Sequence, residues 1–95
     1  MKLTIAKLNI RKKNTFRQSV NLNEVLEHED LFKAYPDLKK VKVKEIANLD
    51  ARGVYSPNFD CIFISELPTQ EKLKSLIHEV QHAIQVREGF AVGEV

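Results

Sequence analysis

The stretch Leu73-Lys74-Ser75-Leu76-Ile77-His78-Glu79-Val80-Gln81-His82-Ala83-Ile84 decides how this 95-residue chain is read. At about 100° per residue, Leu73, Leu76, Ile77, Val80 and Ile84 share one stripe, so the stretch predicts an amphipathic helix that packs on a sheet. Pro68 or Thr69 opens the helix, and Gly89 is suited to close it just after Glu88.

The sheet comes from the segments before it. Lys40-Val41-Lys42-Val43-Lys44-Glu45-Ile46 alternates, which predicts a half-buried strand over residues 40–47 with valines inward and lysines outward. The lysine row suits an edge strand, where like charges oppose edge-to-edge pairing. Asp50-Ala51-Arg52-Gly53 reads as a turn, Gly53-Val54-Tyr55 restarts a strand, and Ser56-Pro57-Asn58-Phe59-Asp60 reads as a second turn. Cys61-Ile62-Phe63-Ile64-Ser65 is a short, nearly all-apolar interior strand. Tight connections between three strands predict an antiparallel meander.

Earlier still, residues 23–35 predict one helix. Asn21 or Asn23 caps it, and Glu24 and Glu27 suit the positive end of its dipole. Val25, Leu26, Leu31, Phe32 and Tyr35 supply the apolar face, and Pro36 stops it because the residue before a proline avoids helical angles. Residues 2–12 give the weakest pattern: Leu3 and Ile5 alternate as in a strand, but Ala6, Leu8 and Ile10 blur the phase.

Charge divides the chain unevenly. Residues 1–20 carry Lys2, Lys7, Arg11, Lys12, Lys13 and Arg17 and no acid, so +6; the other nine bases stand against thirteen acids, so −4, for a net +2. The chain thus reads as a basic N-terminal arm or edge strand over residues 1–20 and a mildly acidic domain over residues 21–95. The arm suits an acidic partner or the phosphates of nucleic acid. Only Phe16 interleaves an aromatic ring there, which argues against a stacking platform for single strands.

Composition sets the outer limits. Ninety-five residues make one domain, and 43% hydrophobic with 29% charged residues is globular usage that excludes wholesale disorder. Cys61 is the single cysteine, so no internal disulfide forms, which points to a reducing compartment or to indifference to redox; the expected setting is cytoplasmic. No apolar run approaches the roughly 20 residues of a membrane span. Lys7 interrupts the apolar start, so no signal peptide is read. The oligomeric state leaves no mark.

Within the long helix stands His78-Glu79-Val80-Gln81-His82, the pattern HExxH. Residues four apart lie one turn apart on one helical face, so both imidazoles can converge on one metal ion. Zinc accepts neutral imidazole nitrogen and keeps a position for water, whose pKa it lowers to about 7. A carboxylate beside the first histidine is placed to move that water's proton. Both histidines point about 140–180° away from Leu73 on the helical wheel, nearly opposite the buried stripe.

The arrangement resembles the zincin metallopeptidases, in which a small twisted sheet with a substrate-binding edge strand precedes a helix bearing HExxH. More narrowly, Leu31-Phe32-Lys33-Ala34-Tyr35-Pro36-Asp37-Leu38, Gly53-Val54-Tyr55, Leu76 to Gln85, and Glu88-Gly89-Phe90-Ala91 are similar to a zincin-like domain of large multidomain phage and mobile-element proteins. The resemblance covers about residues 24–94 and leaves the basic arm outside. It implies an α+β fold with a small antiparallel sheet, an early helix and a C-terminal active-site helix. It implies a zinc-dependent peptidase acting on a peptide or protein substrate, with His78 and His82 as zinc ligands and Glu79 as general base. The alternative is an inactive zincin-like interaction module, or a fragment of a larger phage-type protein, associated with nucleic acid through its arm.

For the third ligand, the metzincin group uses a position six residues after the second histidine, which here is Glu88. Those enzymes carry a glycine where this chain has Gln85. In a regular helix Glu88 lies about 9 Å beyond His82 along the axis, so it joins the metal only if the helix breaks near Gln85. Glu94 and a segment from a partner are the other options. His28, among Glu27, Glu29 and Asp30, reads as a solvated helix residue, and Cys61 as a small buried hydrophobe. Tyr55 and Arg87 are donors that suit a developing oxyanion, but a sheet tyrosine and a last-turn cation are the simpler assignments.

Overall fold

The computed structural model describes residues 7–8 and 17–89. The elements in order are β1 (Lys7–Leu8), β2 (Val20–Asn21), α1 (Leu22–Val25), β3 (Leu26–Glu27), α2 (Glu29–Ala34), a 3₁₀ turn (Pro36–Lys40), β4 (Lys42–Ile46), β5 (Gly53–Ser56), β6 (Cys61–Ser65) and α3 (Thr69–Arg87). The fold is α+β. A four-stranded mixed sheet in the order β2-β4-β6-β5 carries α3 on one face, and β1 and β3 form a separate ribbon. No helix among the described residues is long and apolar enough to cross a membrane.

The sheet is not the antiparallel meander that the turn signals predict. β5 and β6 do form an antiparallel hairpin, with Val54 opposite Phe63. β4, however, pairs with β6 in parallel, from Lys42 opposite Cys61 to Ile46 opposite Ser65. A parallel pair needs a crossover of a dozen or more residues, and residues 47–60, β5 included, supply it. The cause is burial. Ile62 and Ile64 are fully buried, so β6 gains most from neighbours on both sides, and β5 with its glycine and half-exposed Val54 takes the edge.

The lysine row is consequently not at an edge. β4 lies between β2 and β6, and Val43 faces the core while Lys42 and Lys44 face out. Glu45 lies on the buried face with Val43 and meets Lys72 of α3 at 3.1 Å, each side chain 4% exposed. That ion pair ties the sheet to the helix.

The single helix expected over residues 23–35 is two short helices with a strand between. In one continuous helix Leu31 would point about 180° from Leu22, yet both are fully buried. The break at Leu26, whose φ of −121° and ψ of 124° are extended, resets the phase. Leu26 and Glu27 then pair with Leu8 and Lys7, and Leu8 and Leu26 enter the core together. Asn21 opens α1 with a capping box, its N–H donating to Glu24 Oε2 at 2.9 Å. His28 is the N-cap of α2, its Nδ1 accepting from Leu31 N–H at 3.3 Å, rather than a solvated mid-helix residue. Pro36 follows α2 as expected and starts the 3₁₀ turn.

Leu8 in the core and β2 at Val20–Asn21 place parts of the arm within the fold. The rest of the strand expected over residues 2–12, the arm's Lys2, Arg11, Lys12 and Lys13, and Phe16 and Glu94 lie outside the described residues. Arg17 pairs with Glu66 at 2.8 Å on the surface.

Candidate metal centre

α3 forms as its periodicity predicts. Leu76, Val80 and Ala83 are fully buried, Leu73, Ile77 and Ile84 nearly so, and Gly89 closes the helix at a φ of 80° that favours glycine. With the stripe held on the sheet, His78 is exposed, His82 is half-buried and Glu79 is only 6% exposed. The two rings meet edge-on, centroids 4.8 Å apart and planes at 82°. Their Nε2 atoms are 3.2 Å apart. In a tetrahedral zinc site with Zn–N bonds of 2.0–2.1 Å, two nitrogens stand about 3.3 Å apart. The pair therefore fits one zinc ion without rearrangement of the helix, and a ring-to-ring hydrogen bond fits the same separation. Among the described residues, His78, Glu79 and His82 are the group whose candidate ligand atoms lie within 4.8 Å of one another.

Glu79 projects from the flank of α3 that faces β5. There Gly53 leaves room for it: a Cβ on that residue would lie 3.1 Å from Glu79 Cγ and 3.4 Å from Oε2. The glycine is needed for close approach and not for an unusual backbone angle. A cavity of about 400 Å³ opens at this contact, lined by Arg52, Gly53, Lys74, Ser75, His78 and Glu79. Its strand side is β5, which has no neighbouring strand on its outer edge among the described residues. Sequence reasoning missed Gly53 as a packing residue and Lys74 and Ser75 as cavity residues. The latter two lie four and three positions before His78, a spacing that puts them on its side of the helix.

Glu88 stands apart. α3 continues to Arg87 without a break at Gln85, and Glu88 N–H still donates to Ile84 O at 2.9 Å. The Glu88 carboxylate accepts from the Tyr35 hydroxyl at 2.5 Å. The condition for its joining the histidines is not met. Its hydrogen bond, helped by desolvation, raises the Tyr35 phenol pKa above the ordinary value.

Tyr55 and Arg87 engage each other and not the cavity. Arg87 Nη2 donates to Asp60 Oδ1 and Oδ2 at 3.1 and 3.0 Å, Nη1 to Tyr55 Oη and Ala83 O at 3.3 Å, and Nε to Asp37. Tyr55 donates to Asp60 Oδ1 at 2.7 Å. Burial works against the Arg87 charge, but the bonds to Asp37, Tyr55 and Asp60 outweigh it and raise its pKa. The network fastens the C-terminal end of α3 to the β5–β6 turn, where Asp60 adopts a φ of 49°. Cys61 is buried, as read from its strand, and burial raises its thiol pKa.

Comparison of the chain with family models, with curated proteins and with solved structures gives no match.

Proposed function

We propose that the chain is a zinc-dependent metallopeptidase of the zincin-like kind. The observation that carries this reading is the 3.2 Å approach of His78 and His82 Nε2 atoms beside a buried Glu79, at a cavity walled by an edge strand. His78 and His82 hold the ion. Zinc, when bound there, supplies a Lewis acid that polarises a carbonyl and brings the pKa of water to about 7. Glu79 accepts the proton of the attacking water and returns it to the leaving amine. The open edge of β5 pairs with the backbone of an extended peptide and lays it across the cavity. Gly53 keeps the strand close enough to Glu79 for that peptide to meet the carboxylate.

One observation favours a second reading. Glu88 is bound to Tyr35, so the described residues bring no third carboxylate or histidine to the pair beyond Glu79. A zincin-like interaction module that holds zinc without hydrolysis is consistent with that. Zinc titration by calorimetry and hydrolysis of a broad peptide library separate the two. The peptidase binds zinc, loses binding in His78→Ala and His82→Ala, and loses about 10²–10⁴ of its rate in Glu79→Gln with zinc retained. Zinc binding without Glu79-dependent hydrolysis selects the module. No zinc binding that depends on either histidine removes the peptidase and leaves an inactive module.

A further inference from the structure

We propose that the cavity beside His78 and Glu79 is a carboxylate-binding subsite, so that the substrates are peptides bearing a carboxylate next to the segment that lies on β5. The proposal rests on the peptidase reading above and specifies its substrate class.

The lining is built for an anion. Lys74 and Arg52 bring two cations to a cavity whose one acid, among the described residues, is Glu79. Lys74 makes no ion pair among the described residues. Arg52 pairs with Glu71 through Nη2, and a guanidinium has five N–H donors, so donors remain for a ligand. Ser75 supplies the independent observation. It is 7% exposed, lines the cavity, and its hydroxyl has no hydrogen-bond partner among the described residues. A buried hydroxyl without a partner is uncommon and costly, and a bound acceptor resolves it. Ammonium, guanidinium and hydroxyl are donors that a carboxylate accepts from together. Gly53 lets the strand side of the cavity close directly onto Glu79, since a Cβ there would lie 3.1 Å from Glu79 Cγ.

Two carboxylates answer this chemistry: an Asp or Glu side chain within the peptide, or a free C-terminus. Binding to the full-length Glu79→Gln chain with zinc, measured by fluorescence anisotropy, distinguishes them. The probes are an end-blocked peptide containing Glu, its Gln counterpart, and the Gln counterpart with a free C-terminus. The subsite predicts about tenfold tighter binding of the Glu peptide, or of the free-terminus peptide, than of the blocked Gln peptide. Lys74→Glu abolishes that ratio and Ser75→Ala reduces it. Lys39→Glu, the same charge change on another surface, leaves it intact. Equal binding of all three peptides overturns the proposal, and so does a Lys39→Glu effect as large as that of Lys74→Glu. Carboxylate-selective binding with no hydrolysis by the unsubstituted chain removes the peptidase reading and keeps the subsite. Hydrolysis without carboxylate preference does the reverse.

Discussion

Gly53 on the edge strand stands directly against Glu79 on the long helix, with room between them for no further carbon. A Cβ at residue 53 would also come within 3.0 Å of Ile64 Cδ1, in the core. The contact joins the edge of the sheet, the core and the carboxylate proposed as general base in one place.

Substitution of that glycine is therefore expected to act on both stability and chemistry. In Gly53→Ala the added carbon displaces Glu79 by a few tenths of an ångström, and in Gly53→Val the overpacking costs about 1–3 kcal/mol. Urea denaturation reads the stability, and hydrolysis of the best library peptide reads the placement of Glu79. A Gly53→Val chain as stable and as active as the unsubstituted one would show that the contact does not constrain either group.

Lys72 and Glu45 form the buried tie between α3 and β4. Removing either member breaks this buried pair, so Glu45→Ala or Lys72→Ala is expected to cost about 3–5 kcal/mol. The double substitution Glu45→Leu with Lys72→Met removes both charges and is expected to be close to neutral. Chemical denaturation of the two singles and the double checks this, the expected signature being singles that are not additive.

Arg87 sets a pH dependence through Asp37. Their hydrogen bond holds the Asp37 carboxyl below the ordinary Asp value, against a smaller opposing effect of desolvation. A depressed folded-state pKa means that the folded chain binds fewer protons than the unfolded one, in which Asp titrates near 3.9. The contribution is full above that value and is lost as pH falls through the depressed pKa. Asp37→Asn is thus expected to lower stability at pH 6 and to have a vanishing effect in strong acid. Denaturation midpoints of both chains from pH 2 to 7 test this; a difference that persists at the acid limit contradicts the assignment.

Glu88 is expected to matter for Tyr35 and not for metal. In Glu88→Gln the Tyr35 phenol should titrate closer to its ordinary value, because the anion that raises it is gone. Zinc affinity should be unchanged. Ultraviolet titration of tyrosinate measures the first, with Tyr55→Phe as background to leave one tyrosine, and calorimetry the second. A marked fall in zinc affinity would place Glu88 at the ion after all.

Much of this molecule is legible in the chain because its decisive relations are local. The i, i+4 spacing of His78 and His82 on a strongly periodic helix places both rings on one side whatever the helix packs against. Pro36 and Gly89 mark their boundaries through backbone angles that belong to those residues alone. The half-burial of β4 follows from its alternation, and the β5–β6 hairpin from the turn residues 57–60.

Tertiary structure decided the relations that join distant segments. Which strand lies beside β6 depends on competition for burial among all strands, and the parallel β4–β6 pair won although adjacency along the chain favoured a meander. The apolar residues of 23–35 fit one helix in the sequence, but α1 begins at Leu22, burying both Leu22 and Leu31 requires a break, and Leu8 across the ribbon supplies the partner for it. Glu45 belongs to an alternating strand, and its place on the buried face is matched by the approach of Lys72 from α3. At the candidate site the division is the same. The chain by itself determined the histidine pair and the adjacent carboxylate, because one helix carries all three. The cavity, the glycine that packs against Glu79 and the cations that line it came from packing an edge strand on that helix, a relation that no local spacing contains.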